Sequence, residues 1–267
     1  MQHSLLFRLE AHTIGFLLFI GMITTFILGR ILSRSWHARK IGEKRDGLGE
    51  GGGVGALLGA LFALFGLILA FAFGMSGSRY ENVRSVMVEE ANDIGTVILR
   101  TDLYPDSMRK VLRDGLKNYL EGRIAYYENV TDPIRFLKAK EDAEKSGAAI
   151  WSAVAWFSKQ PNATIPTMQM IPALNNMLDI ATTRDIMIKA RVPDAIVITL
   201  LILTLTISFI GGFTTPRVGD KDWVVIVGFI ALTSLIIYLT LDLGRPMRGL
   251  IKVELGQQSI VDLRKLF

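Results

Sequence analysis

Four long apolar runs constrain the fold of this chain more than any other feature of its sequence. They extend over His12 to Ser33, Val54 to Ser76, Pro193 to Phe213 and Trp223 to Leu241. A membrane hydrocarbon core is about 30 Å thick, and roughly 20 apolar residues in an α-helix cross it. Inside that core only helices and closed barrels satisfy their backbone polar groups. We therefore expect an integral membrane protein with four transmembrane helices.

The segment between the second and third apolar runs has the composition of a soluble domain, with acids and bases nearly balanced. It shows helical periodicity and no convincing β-strand, so the expected fold class is all-α, with a helical extramembrane domain between the second and third transmembrane helices. Three prolines between Gln160 and Pro172 predict a loop, which a helix from Ala173 to Lys189 follows. The predicted layout is an N-terminal transmembrane hairpin with a basic loop (1–77), the extramembrane domain (78–192), a C-terminal transmembrane hairpin (193–241) and a C-terminal tail (242–267).

Charge in the loops gives an expected orientation. Loop 34–53 follows the first span and is rich in Arg and Lys, so the positive-inside rule places it in the cytoplasm. The extramembrane domain would then face the other side of the membrane. The tail opposes this orientation, because an even number of spans puts it on the side of the domain and it is basic as well. Its basic residues are Arg245, Arg248, Lys252, Arg264 and Lys265.

The second span combines small residues on one face with a bulky stripe beside it. At about 100° per residue the small residues fall within roughly a 100° arc. They are Gly55, Gly59, Ala63, Gly66, Ala70 and Gly74, and the stripe consists of Leu58, Phe62, Phe65, Leu69 and Phe73. Small residues let another helix backbone approach closely in lipid. One interpretation is ordinary packing in a helix bundle, and the other is a ring of these helices around a pore that the stripe narrows.

Past the second span the helical period continues, but one face becomes charged. An apolar arc from Tyr80 to Ile98 can pack on the rest of the domain, and Glu90 projects inside that arc. A carboxylate there must be paired, hydrogen-bonded or protonated, because an unpaired buried charge is costly. One interpretation is a structural ion pair with an arginine, for which Arg245 is a candidate. The other is a cation site or titrating switch, to which Glu89 and Asp93 add charge.

No enzyme motif and no metal cluster stands out, so the sequence predicts a protein that is not an enzyme and that holds no metal or cofactor. The chain has no cysteine, and its three histidines lie at spacings that do not face one another. It contains neither a P-loop nor a nucleophile elbow. Its net charge of +5 is typical of membrane-flanking Lys and Arg, and no basic stripe interleaved with aromatic residues indicates nucleic-acid binding.

Two motifs carry a resemblance to a known family. The segment "RYENVRSVMVEEANDIGTVILRTDL", Arg79 to Leu103, follows a glycine-rich span, and "GRPMRG", Gly244 to Gly249, follows the last span. Together they resemble the bacterial bestrophin-like domain family. The resemblance implies a multi-pass protein of the bacterial inner membrane that is similar to bestrophins, which are oligomeric ion channels, typically pentamers, whose second span lines a hydrophobic neck. It also implies a cytosolic helical domain, opposite to the side that the loop charges favour, and the acidic calcium-binding cluster of bestrophins has no evident counterpart here.

The leading hypothesis is a homo-oligomeric ion channel whose partners are the lipid bilayer, inorganic ions and further copies of itself. Its polar or ion-site candidates are Glu81, Glu89, Glu90, Asp93, Arg100 and Arg245. The alternative is a non-conducting membrane scaffold or sensor whose helical domain binds a partner. A channel places the phenylalanines of the second span around a symmetry axis, whereas a scaffold buries them against its own neighbouring helices.

Overall fold

The computed structural model describes residues 9–39, 52–189, 192–215 and 219–267. In these ranges the chain forms helices and no β-strand, which confirms the all-α class. The α-helices, in chain order, are α1 Ala11–Arg39, α2 Gly52–Arg100, α3 Asp106–Glu128, α4 Pro133–Phe157, α5 Thr164–Lys189, α6 Asp194–Thr214, α7 Asp220–Leu243 and α8 Glu254–Asp262. Short 3-10 segments, Thr101–Leu103 and Leu263–Leu266, follow α2 and α8.

Four of these helices, α1, α2, α6 and α7, are long and apolar enough to cross a membrane, and each contains one of the four predicted spans. Helix α2 has 49 residues, so at 1.5 Å per residue it is about 73 Å long, more than twice the hydrocarbon thickness. Only part of α2 therefore crosses the membrane, in line with the charged residues of its second half. Most of the predicted basic loop, residues 40–51, lies outside the described residues.

The chain divides into two compact units. The membrane unit comprises residues 1–78 and 192–244, and the helical unit comprises residues 79–191 and 245–267. The C-terminal stretch, which the sequence suggests as a separate tail, thus belongs mostly to the helical unit. Its helix α8 packs there closely, since a Cβ on Gly256 would lie 2.9 Å from the Cβ of Met87, and Ile260 is part of the hydrophobic core.

In the membrane unit, α1 and α6 run parallel and pack backbone to backbone. The Ser208 hydroxyl donates a hydrogen bond of 2.7 Å to the carbonyl oxygen of Met22, and one turn later Gly212 faces Phe26. A Cβ on Gly212 would lie 1.9 Å from the carbonyl oxygen of Phe26, and one on Gly29 would lie 2.1 Å from a backbone oxygen of α6. The contact therefore requires glycine at both positions.

Helix α7 runs antiparallel to α1. Near the start of α1, a Cβ on Gly15 would lie 3.0 Å from Tyr238, near the end of α7. Near the end of α1, the ring of Phe26 lies 5.9 Å from that of Trp223, near the start of α7. These directions of α1, α6 and α7 are those expected when four consecutive spans cross the membrane alternately.

The helical unit is built around the apolar arc of α2 that the sequence predicts. Residues of this arc are buried together with one face of α3, which runs through Met108, Leu112, Leu116, Tyr119 and Leu120. Helix α4 begins after Asp132, whose carboxylate accepts hydrogen bonds from the N–H groups of Ile134 (3.0 Å) and Arg135 (3.2 Å). Pro133 occupies the first turn, where its missing N–H group is not needed.

The predicted loop between Gln160 and Pro172 was wrong for most of its length. Helix α5 begins at Thr164 and contains Pro172 in its interior. Pro166 lies in the first turn, where backbone N–H groups have no helical acceptor, so it does not oppose the helix. Pro172 removes one hydrogen bond from the helix, but Met170 and Leu174 on either side of it are fully buried. Core packing therefore outweighs the preference of Pro172 against the interior of a helix.

Candidate functional site

The small-residue face of the second span points away from the other helices of its own chain. All six predicted residues are exposed, namely Gly55, Gly59, Ala63, Gly66, Ala70 and Gly74. A Cβ on any of the four glycines would meet nothing within 4 Å, in contrast to the glycines between α1 and α6. Within one chain, this face therefore does not serve ordinary helix packing.

The bulky stripe beside that face divides into a buried and an exposed part. Phe65 is 7% exposed and packs in the core of the membrane unit. Phe62 and Phe73 are 42% and 43% exposed, and Phe62 contacts the ring of α7 residue Phe229 edge-on at 6.2 Å. Leu58 and Leu69, the two aliphatic members of the predicted stripe, are half-buried.

The exposed fractions of these side chains show which side of α2 is covered by other helices of the same chain. At about 100° per residue, Ala63 in the small-residue face lies about 180° from Ala72, which is buried in the core. Phe62 and Phe73 lie at the border between the two sides. An oligomeric partner or a permeation path therefore has access to the small-residue face and to this border, but not to Phe65.

Glu90 is fully buried in the helical unit and is held by two arginines. Its Oε1 accepts a hydrogen bond from Nε of Arg123, and its Oε2 accepts one from Nη1 of Arg184. Arg123 belongs to α3 and Arg184 to α5, so the carboxylate joins three helices. The guanidinium groups are buried as well, since Arg123 is 3% exposed and Arg184 is 0% exposed. This geometry is that of the structural ion pair, the first of the two interpretations of Glu90.

An aromatic ring and a second ion pair surround the two guanidinium groups. The Cζ atoms of Arg123 and Arg184 lie 4.8 and 5.5 Å from the ring centroid of Tyr126, within cation–π range. Asp185, the neighbour of Arg184 in sequence, receives an ion-pair contact of 2.5 Å from Nζ of Lys140 on α4. We call these residues and Glu90 the charged cluster, and it connects α2, α3, α4 and α5.

The charged cluster keeps both of its buried carboxylates ionised. Burial by itself raises the pKa of Glu90, but the charges of Arg184 and Arg123 and their hydrogen bonds outweigh burial and hold the pKa below its ordinary value. Burial also raises the pKa of Asp185, and the hydrogen bond and positive charge of Lys140 bring it below the ordinary value. At neutral pH both groups are therefore charged partners and not proton donors.

Four of the other polar candidates, Glu81, Glu89, Asp93 and Arg100, lie on α2, whereas Arg245 follows α7 and is half-buried. Glu81 forms an exposed ion pair of 3.4 Å with Arg84, and Glu89 is exposed. Asp93 is half-buried, and its pKa is raised by burial and then by the negative charges of Glu89 and Glu90. Nη1 of Arg100 donates a hydrogen bond to the backbone oxygen of Gln169, so this arginine ties α2 to α5.

The sequence indicates Glu90 but not its partners. It suggested Arg245, whereas the structure pairs Glu90 with Arg123 and Arg184. A signal for both was present, because Arg123 follows Leu120 on the apolar face of α3, and Arg184 follows Met177 by two turns on the buried face of α5. The criterion that selected Glu90, a charge inside an apolar arc, also selects these two arginines.

Comparisons with known proteins agree with this architecture. A family model described as a Bestrophin-like domain matches residues 26–256 of the chain. The crystal structure of a bacterial Bestrophin homolog from Klebsiella pneumoniae matches with a TM-score of 0.64 at 15% identity, covering 92% of this chain and 98% of that one. A mutant of a bacterial Bestrophin homolog from the same organism gives a TM-score of 0.65 at 15% identity, over 93% and 99% of the two chains. These likenesses show a shared fold, and no curated protein matches the chain.

Proposed function

This chain belongs to the Bestrophin-like family, and on that premise we propose that it forms a homo-oligomeric ion channel whose second span lines a hydrophobic pore. By the resemblance to bestrophins, the oligomer is a pentamer in the bacterial inner membrane and inorganic ions are the permeating species. The same resemblance supports transport and not catalysis, so the proposal includes no enzymatic step and no cofactor. Because a fold alone does not determine activity, the proposal needs support from the span itself.

The observation that carries the proposal is the exposure of the second span. In the most apolar stretch of α2, 11% of the residues are buried, compared with 33% in each of α1, α6 and α7. Lipid can cover bulky apolar side chains, but a face of glycine and alanine gains most from close contact with another helix. The exposed small-residue face therefore supports contact with the same span of a neighbouring copy.

The arrangement we propose places two different surfaces of α2 in two roles. The small-residue face packs against the α2 of a neighbouring copy. Phe62 and Phe73, at the border of that face, point toward the axis and form a hydrophobic constriction that gates by dewetting. Leu58 and Leu69 lie close to this border, while Phe65 serves the core of its own chain.

Recording from the purified protein in a planar bilayer tests the proposal. We expect ionic current, and we expect the Phe62→Ala, Phe73→Ala double variant to increase single-channel conductance, because removing two rings per copy widens the constriction and lets it hydrate. Phe71→Ala is the matched control. Phe71 is 65% exposed but lies about 160° from Phe73 around the helix, so its removal should leave conductance unchanged.

Two results would contradict the proposal in different ways. Intact oligomers that pass no current in any salt or at any pH would exclude a channel. Equal effects of the Phe71→Ala variant and the double variant would leave a channel in place but would remove Phe62 and Phe73 from its constriction.

One observation favours the second hypothesis, a non-conducting scaffold or sensor. Phe65, in the middle of the predicted stripe, is buried against the chain's own helices, as a scaffold requires. On this hypothesis the exposed part of α2 serves assembly alone, and the helical unit binds a partner. Stable oligomers without current in the bilayer experiment would support it.

A further inference from the structure

Two buried arginines of the charged cluster have donors that no protein group satisfies. Arg184 uses Nη1 for Glu90, while its Nε and Nη2 are buried and have no hydrogen-bond partner in the part of the chain that the structure describes. Arg123 uses Nε for Glu90, and its Nη2 is buried without a partner in the same way. Buried donors nearly always have an acceptor, so these three nitrogen atoms require one.

The two unpartnered nitrogen atoms of Arg184 form one edge of its guanidinium group. The N–H groups on this edge are parallel and constitute the fork with which arginine binds carboxylates and other anions. Tyr126 and Tyr127 contribute cation–π contacts, with ring centroids 5.5 and 5.8 Å from Cζ, but no acceptor in the described residues forms a hydrogen bond with this edge. The edge therefore offers two buried, unpartnered donors in the geometry that binds an anion.

The nearby protein carboxylates do not fill this edge. Both oxygens of Glu90 are already bound to arginine. Asp185 uses Oδ2 for Lys140, and its Oδ1 does not reach the edge of Arg184, since both groups are without a partner. Lys140 contacts both Asp185 and Glu144, at 2.5 and 3.6 Å. In the described residues, the two buried guanidinium groups therefore share Glu90 as their one directly bound carboxylate.

We propose that the Nε and Nη2 atoms of Arg184, with Nη2 of Arg123 as a further donor, bind a small monovalent inorganic anion of the size of chloride inside the helical unit. Two buried guanidinium groups that share one directly bound carboxylate favour an anion over a neutral water molecule, because attraction between opposite charges is stronger in the protein interior than in water. The site is separate from the proposed pore, and it does not depend on conduction.

Thermal unfolding of the purified full chain tests the site with chloride as the probe. At constant ionic strength, replacing sodium gluconate with sodium chloride should raise the unfolding midpoint by about 3 to 6 °C for each tenfold excess of chloride over its dissociation constant. Arg184→Lys should abolish this response, because lysine keeps the charge that Glu90 needs but has no fork. Arg135→Lys, at a side chain that is 75% exposed in the same unit, should keep it.

Each outcome decides for or against the anion. A midpoint that is equal in chloride and gluconate, or a chloride response that survives in Arg184→Lys, would overturn the proposal. If Arg184→Lys fails to fold, crystals of the unmodified protein grown in sodium bromide decide instead. An anomalous bromide peak at hydrogen-bond distance from Nε and Nη2 of Arg184 supports the site, and density that refines as water alone overturns it.

Discussion

Glu90 remains charged in the protein interior only because two arginines hold it. The Coulomb attraction of a buried ion pair largely offsets the cost of removing its members from water, so the pair as a whole contributes little net stability. Removing one member is different, because it leaves the other charge buried without compensation. Removing Glu90 alone should therefore destabilise the fold by more than the charged cluster as a whole stabilises it.

We expect Glu90→Gln to destabilise the protein by about 3 to 5 kcal/mol, because it leaves Arg123 and Arg184 without their shared carboxylate. Glu89→Gln changes the same side chain at the adjacent, exposed position and should stay within about 0.5 kcal/mol of the unmodified protein. Chemical unfolding followed by tryptophan fluorescence measures both. Equal stability of the two variants would exclude a charged role for Glu90.

The lowered pKa of Glu90 also predicts a direction for the effect of pH on stability. Its folded pKa lies below the ordinary value of 4.5, so its contribution to stability is complete well above pH 4.5 and is lost as the pH falls through 4.5 toward the folded pKa. The pKa of Asp185 is also lowered, from an ordinary value of 3.8, so its contribution to stability is likewise lost on acidification. The pKa of Asp93 is raised, so its contribution has the opposite sign. We expect the unfolding midpoint to fall on acidification below about pH 4.5, and the fall to be smaller in Glu90→Gln. Parallel curves for the two proteins would contradict this assignment.

At the scale of helices, apolar periodicity predicted the spans and the first helix of the helical unit, because burial in lipid or in a core follows the 3.6-residue period. It failed where two rules conflicted, as at Pro172, where core packing overrode the preference of proline. It also could not pair Glu90 with its arginines, which lie 33 and 94 residues away in sequence. Such pairs depend on how helices pack, and periodicity within one helix carries no information on that.

Small residues in the membrane unit serve two surfaces that the sequence does not distinguish. Gly29 and Gly212 bring α1 and α6 into backbone contact, while the glycines of α2 face open space. The same residue type thus supports packing within a chain at one surface, and is free to support packing between chains at the other.

We expect Gly66→Leu to reduce the oligomeric fraction without unfolding the protein, because a Cβ there meets nothing in its own chain but would obstruct a neighbouring copy. Gly228→Leu is the control, since Gly228 is an equally open glycine in the interior of another span, α7. Cross-linking in native membranes measures the oligomeric fraction. Equal losses in the two variants, or no loss in Gly66→Leu, would contradict an interface on this face of α2.

At the scale of the whole molecule, we propose that the four spans cross the membrane alternately, which would put the start of the first loop and the helical unit on opposite sides. Ser35 and Ser152 are both exposed, and the chain has no cysteine of its own. Ser35→Cys and Ser152→Cys are therefore single labels for the two sides. We expect a membrane-impermeant thiol reagent, added to intact cells, to modify one variant and not the other.

The position that is labelled then decides between the two orientations. Labelling at Ser152→Cys supports the side that the loop charges favour, and labelling at Ser35→Cys supports the side implied by the resemblance to bestrophins. Labelling of both variants would contradict the four-span arrangement.

The spacing of the charged cluster along the chain has a consequence for synthesis. Arg184 follows Glu90 by 94 residues, so at about 5 to 20 residues per second the carboxylate leaves the ribosome roughly 5 to 20 s before its second partner. During that interval α2 and α3 supply only Arg123, so Oε2 of Glu90 lacks the donor that α5 provides later and remains hydrated. The first half of the helical unit therefore waits for α5, which makes completion of this unit a late event in the biogenesis of the protein.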